Sequence, residues 1–367
     1  MSANQSNTLV YGGTYTRPEG HVREAKGKGI YTYELDLATG KLSYRDLTGG
    51  IDSPTYLALD SQHRYLYAVA EVSDWPEGLC YAYRIDPATG ALTYINVQPT
   101  LGRAACYVSI DHTNRFVMVA NYGGPVGVAV FPIREDGGIA PASTSVTHHG
   151  SGPMTARQEA PHAHCIQPDA ANRYVFVSDL GIDKLMSYRF DSQNGQLTPN
   201  TIPSVSLAPG AGPRHFVWHP NGKFAYIIQE LNSTVRALAY DAANGSFQVL
   251  QTVSTLPANY SGESTCAALQ IASSGKFLYG SNRGHNSIVA FAIDDQTGLL
   301  TLVGHQNTHG DTPRDFAIDP TGTYLLAANQ DTDTVVTFRI DPVTGGLQET
   351  GQVSEIPTPV CLKMIQL

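Results

Sequence analysis

The sequence predicts an all-β fold, a seven-bladed β-propeller with four antiparallel strands per blade, occupying residues 1–367 as one domain. Three observations lead there. A turn signature recurs seven times, a second turn recurs inside the repeat, and the two chain ends fall at different points of the repeat unit.

The first signature is an acidic residue followed by Gly and then an apolar residue. It reads Asp36–Gly40–Leu42, Asp86–Gly90–Leu92, Asp191–Gly195–Leu197, Asp241–Gly245–Phe247, Asp294–Gly298–Leu300 and Asp341–Gly345–Leu347, with a shorter copy at Asp136–Gly138–Ile139. Successive glycines step by 47 to 57 residues. A period near fifty in a Tyr- and Val-rich chain indicates radial repetition of small sheets.

The second landmark is a polar turn, an aromatic and an apolar strand. Its aromatics are Tyr65, Phe116, Tyr174, Phe224, Phe277 and Tyr324. It is assigned to the hairpin between strands one and two of a blade, and the acidic-to-Gly turn to the hairpin between strands three and four. The N-terminal Leu9-Val10-Tyr11 then enters as a second strand, and the C-terminal Val360-Cys361-Leu362 ends as a first strand. The ends are therefore expected to share one blade, which closes the ring and protects its edges. No helix longer than about two turns is expected.

Composition excludes several classes. The formal charge is −9, so no basic footprint for nucleic acid exists at chain level. No apolar run approaches the roughly 18 residues of a membrane span. The first residues show neither the charged nor the apolar region of a signal peptide, so a cytoplasmic monomer is expected. The five cysteines are odd in number and form no CxxC, which fits a reducing compartment.

Aligning the repeats on the aromatic exposes a ring of functional groups. The residue opening each first strand is Thr55, Cys106, His164, Arg214, Ala267 or Arg314. The residue closing each second strand is Glu71, Tyr122, Leu180, Glu230, Arg283 or Gln330, with Tyr15 in the split blade. Neighbouring ends of an antiparallel pair lie side by side, so both sets ring one mouth of the central channel. His164, Arg214, Glu230 and Arg283 fall on adjacent blades, where guanidiniums can grip carboxylate or phosphate in a two-pronged manner. Arg283 is expected to be lined by solvent. A salt-bridge ring holding the blades is the structural alternative. His162 and His164 share a face on a strand and could form a zinc pair, but no third ligand follows at zinc spacing. Asp179 and Asp183 could hold a cation, with a turn role the simpler reading. No metal or cofactor is expected, and no nucleophile elbow, P-loop or dinucleotide fingerprint occurs.

Several stretches carry a family resemblance: Arg157-Gln-Glu-Ala-Pro-His-Ala-His164, Val177-Ser-Asp-Leu-Gly-Ile-Asp183, Pro213-Arg-His-Phe216, Glu230-Leu-Asn-Ser-Thr-Val235 and Ser281-Asn-Arg-Gly-His-Asn-Ser287. The chain resembles the seven-bladed propeller lactonases, the family of bacterial propeller-type 6-phosphogluconolactonase, to which fungal carboxymuconate cyclase is related. The resemblance implies a catalytic group on His164 or His162, Arg214, Arg283 and Glu230. His162, Arg314, Glu71, Gln330, Tyr15 and Tyr122 are the expected substrate-binding residues. The implied substrate is a small anionic lactone, foremost 6-phosphogluconolactone, opened without metal. A cycloisomerase forming a lactone from a carboxylated diene and a non-catalytic scaffold are the alternatives. Ala160 and the segment Thr155-Ala-Arg-Gln-Glu depart from the family pattern, and neither is expected to touch the catalytic group.

Overall fold

The computed structural model describes residues 8–367. The reading that no leader is present rests partly on residues 1–7, which lie outside the described residues. Seven four-stranded antiparallel sheets form the ring. The first strands of blades 2 to 7 are Pro54–Leu59, Arg103–Ile110, Ala163–Pro168, Pro213–Trp218, Thr265–Ile271 and Pro313–Ile318. Blade 1 takes its first strand, Pro359–Gln366, from the C-terminus and its second, Thr8–Thr14, from the N-terminus. The shared blade therefore follows the offset termini. Among the described residues the only helices are two three-residue 3₁₀ turns, Leu180–Ile182 and Gln330–Thr332, neither able to cross a membrane.

Both recurrent turns form where their chemistry requires. In the outer hairpin the acidic side chain accepts backbone N–H groups two and three residues on, as Asp86 Oδ1 does from Ala88 and Thr89. The Asx geometry mimics a turn and leaves the following Gly in the left-handed region. In the inner hairpin Oδ1 of Asp60, Asp111 and Asp169 each accepts two backbone N–H groups, the second from the aromatic itself.

The two landmarks meet in one inter-blade contact. Gly195, Gly245, Gly298 and Gly345 each lie on the aromatic of the preceding blade, Phe116, Tyr174, Phe224 and Phe277, and in the short copy it is Gly137 rather than Gly138 that lies on Tyr65. Gly40 lies on Tyr324, across the ring closure. At Gly345, φ is +75°, and an added Cβ would stand 2.2 Å from the Phe277 ring. Only glycine meets both the backbone and the space requirement. Tyrosines two residues after the aromatic position reinforce four of the seams, with Tyr11, Tyr67, Tyr226 and Tyr279 donating to the carbonyls of Gly90, Gly137, Gly298 and Gly345. Apolar side chains fill the space between blades, as where Phe176 and Phe216 pack with Phe116 and Phe190.

Every first strand breaks register near its start. The pairing shifts around Thr55, Cys106, His164, Arg214, Ala267, Arg314 and Val360. A bulge leaves one residue outside the ladder and re-aims its side chain. The seven bulges sit at one mouth of the channel, at the ring of positions aligned from the sequence.

Candidate active site

A cavity of about 340 Å³ opens at this mouth, lined by Tyr122, Arg157, His164, Glu230, Thr265 and Arg283 on one side. His21, Glu71, Ser73, Ala104 and Arg314 complete the wall. The first group centres on Glu230, which directly follows the second strand of blade 5, Phe224–Gln229. Arg157 Nη2 donates to Glu230 Oε1 at 2.5 Å. Arg214 Nε and Arg283 Nη2 lie 3.0 and 2.9 Å from Oε2. Burial alone would raise the Glu230 pKa, but the guanidiniums of Arg283, Arg214 and Arg157 outweigh it and hold the carboxyl far below the usual carboxylate range.

His164 stands at the bulge of blade 4, edge-on to the Tyr122 ring. Burial, with Arg214 adding to it, holds His164 well below the usual imidazole range, so it is neutral near pH 7. Its Nδ1 and the Nε atoms of Arg214 and Arg283 are buried and hydrogen-bond to no protein atom. The Arg214 Nε contact with Glu230 is thus an ion pair in distance but not an aligned hydrogen bond. Of the three residues, His164 and Arg283 line the cavity, and their unsatisfied atoms are groups for a ligand to meet.

The second group centres on Arg314. Its Nη2 donates to Tyr15 Oη at 3.0 Å and lies 3.6 Å from Glu71 Oε1. Thr55 donates to the other Glu71 oxygen, and Tyr15 Oη meets His21 Nε2 at 2.9 Å. Burial and Arg314 lower the His21 pKa to about 4. Four guanidiniums thus face two carboxylates, and the imidazoles of His164 and His21 add no charge.

Several expected positions differ in placement. Arg283 is not lined by solvent: it is largely buried and donates to Cys266 O, and burial lowers its pKa to about 10 against the pull of Glu230. Arg214 backs Glu230 and does not line the cavity. Tyr15 is fully buried behind His21 and Arg314. Gln330 turns away, because the chain enters a 3₁₀ turn there and its amide bonds Asp331. His162 precedes the strand, stacks on Tyr122 with ring centroids 4.3 Å apart, and bonds Tyr122 O through Nδ1. His162 and His164 therefore engage one tyrosine rather than converging on a common ligand point.

Asp179 and Asp183 are turn residues. Asp179 accepts from His162 N, Gly181 N and His148, and Asp183 from Gln158, Gly210 N and Gly212 N. Among the described residues no group of three or more His, Cys, Asp or Glu is placed to hold a metal.

Arg157 corrects the expectation that its segment stays clear of the catalytic group. Neither it nor His21 belongs to the blade repeat: both come from long connections, Arg157 before blade 4 and His21 between the second and third strands of blade 1. Register could not place them, although the run Arg157-Gln-Glu so close before His164 was a usable signal.

Fold and site together define a propeller hydrolase of the lactonase class. The family model described as a seven-bladed β-propeller lactonase matches residues 9–364, and the chain belongs to that family. The 6-phosphogluconolactonase of Bacillus subtilis (strain 168) is 39% identical over 357 residues, covering 97% of this chain and 98% of that protein. The 6-phosphogluconolactonase of Formosa agariphila is 36% identical over 298 residues, covering 80% and 83%. The structure of a periplasmic gluconolactonase from Pseudomonas aeruginosa superposes with a TM-score of 0.91 at 33% identity, covering 98% of this chain and 99% of that one.

Proposed function

We propose that this lactonase opens 6-phosphogluconolactone to 6-phosphogluconate by metal-independent acid–base chemistry. The charge balance of the cavity carries the reading. A chain of net charge −9 gathers Arg157, Arg214, Arg283 and Arg314 around two carboxylates, an excess of two positive charges at a sugar-sized site. A phosphorylated sugar lactone supplies a dianion of matching charge, and a focused positive field raises its local concentration. The same field disfavours a divalent cation. A deep charged cavity also suits an enzyme better than a scaffold.

Neutral His164 takes a proton from water as the water oxygen attacks the lactone carbonyl carbon. The resulting oxyanion is met by the guanidinium of Arg283, which lines the cavity and needs little reorganisation, while Arg214 holds Glu230 from behind. As the ring C–O bond breaks, protonated His164 returns its proton to the departing oxygen. Glu230 stays ionised among the guanidiniums. It is therefore a weak base, and it serves to orient the arginines and to offset charge on His164 during the reaction.

The reading includes a cytoplasmic monomer without cofactor, nucleic-acid or membrane partner, supported by five unpaired, buried cysteines and the acidic balance of the chain. The test is turnover by purified protein of 6-phosphogluconolactone, gluconolactone and carboxymuconate in parallel, with and without EDTA. Preferential opening of the phosphorylated lactone that survives chelation is expected. Preference for carboxymuconate, or loss of turnover on chelation with recovery on added metal, overturns the reading.

A further inference from the structure

Arg157 differs from the other three guanidiniums in origin, exposure and bonding. It comes from the connection between Thr144–Val146 and Ala163–Pro168 rather than from a blade position. Its side chain is 40% exposed, against 4% for Arg214, 14% for Arg283 and 9% for Arg314. It alone covers Glu230 Oε1, while the two buried arginines share Oε2. Its remaining side-chain contact is long, 3.4 Å from Nη2 to Tyr122 Oη.

The backbone beside it is held firmly. Gln158 donates through its amide to Leu180 O and Asp183 Oδ1, accepts from Met154 N, and bonds Met154 O through its own N–H. The side chain can therefore exchange partners while its anchor stays fixed. Arg314 has no such freedom, being buried between Tyr15 and Glu71.

We propose that Arg157 is the phosphate-recognising arm of this site, and that it leaves Glu230 Oε1 for the substrate's phosphomonoester when substrate binds. This rests on the phosphorylated-lactone reading above. A phosphate dianion offers more charge than one carboxylate oxygen and accepts both prongs of a guanidinium. Glu230 keeps Arg214 and Arg283, so the carboxylate is never left unpaired. Its Oε1 becomes free to accept from the attacking water or a sugar hydroxyl. Recognition of the phosphate at the rim thus completes the polar arrangement deeper in the cavity.

The experiment compares kcat/KM for 6-phosphogluconolactone and gluconolactone in the parent, Arg157→Ala and Arg157→Lys, with melting temperatures recorded. Arg157→Ala should lower the ratio of phosphorylated to unphosphorylated kcat/KM by about tenfold to a hundredfold, the loss expected for a hydrogen bond to a charged group. The loss should appear mainly in KM, and Arg157→Lys should restore it in part. Equal fractional losses on both lactones would show that Arg157 acts only through Glu230 and would overturn the proposal, as would an unchanged ratio. Calorimetric titration with inorganic phosphate separates this from the functional reading. If the parent opens neither lactone, that reading fails. The arm then stands if phosphate binds the parent and not Arg157→Ala, and falls if the two bind equally or neither binds.

Discussion

Arg214 and His215 are adjacent in sequence and hydrogen-bonded through their side chains, Arg214 Nη1 donating to His215 Nε2 at 3.1 Å. They serve two chambers. Arg214 backs Glu230 at the catalytic mouth, whereas His215 lines a separate cavity of about 260 Å³ farther along the channel, with Tyr56, Tyr107, Asp315 and Lys363. Accepting at Nε2 places the neutral imidazole's proton on Nδ1. Burial and the Arg214 charge keep His215 well below the usual imidazole range, so it remains an acceptor.

His215→Phe removes that acceptor and leaves a buried guanidinium N–H unpaired. Stability should fall by about 1–3 kcal/mol, read by denaturant unfolding. His215→Gln, which retains an acceptor, should recover part of the loss. An unchanged midpoint in His215→Phe would show that Arg214 is held by Glu230 alone.

Arg283→Ala should reduce kcat by about two to three orders of magnitude, the usual cost of losing an oxyanion donor. Because Arg283 is buried and bonded to Cys266 O, the melting temperature should fall as well. Arg283→Lys should rescue turnover only in part, since an ammonium lacks the fork. Arg314→Ala should affect KM more than kcat, because its group lies across the cavity from His164. A kcat within a few-fold of the parent in Arg283→Ala would make this arginine a blade staple.

Glu230→Gln tests the ion-pair centre and its pH dependence. The folded-state pKa of Glu230 lies below the ordinary 4.5. Its ionic stabilisation is therefore fully present above about pH 4.5 and is lost as pH falls through the lower folded value. At pH 7 the variant should be less stable by roughly 3–5 kcal/mol, the cost of breaking a buried pair from one side. The gap to the parent should narrow in acid. A gap constant from pH 7 to pH 3 would contradict the assignment.

Gly345→Ala probes the seam between blades. It places a Cβ against Phe277 at a left-handed φ, which should cost about 1–2 kcal/mol of backbone strain and about 1–3 kcal/mol of overpacking. Gly351 has nearly the same φ, +74°, with nothing within 4 Å, so Gly351→Ala should show only the backbone part. Equal melting temperatures for the two variants would remove the packing argument.

The ring was legible because each landmark is half of a physical contact. A glycine must lie where the neighbouring aromatic leaves no room for a side chain, so both recur together. Glu230, His164, Arg283, Glu71, Arg314 and Tyr122 were legible for a related reason: the bulge holds equivalent positions at equivalent places. Gln330 escaped that logic because a 3₁₀ turn begins there and its amide bonds Asp331, and Tyr15 because His21, from a loop, and Arg314 cover it. Arg157 and His21 escaped it because loops obey no repeat. Position in a blade specifies which residues reach the mouth, but not which loop residue crosses over them.

The joint blade also ties activity to a contact between distant parts of the chain. Tyr15 and its partner Arg314 are 299 residues apart. The strand beside Thr8–Thr14, Pro359–Gln366, comes from the opposite end of the ring's course. Until it docks, one inner edge stays open and nothing fixes the Arg314 wall against the His21 wall. A chain cut before Pro359 is thus expected to lose activity and to show a bare strand edge, suited to self-association or degradation rather than to partial turnover. The lactonase has in effect a single on-state, reached only when Thr8–Thr14 and Pro359–Gln366 meet.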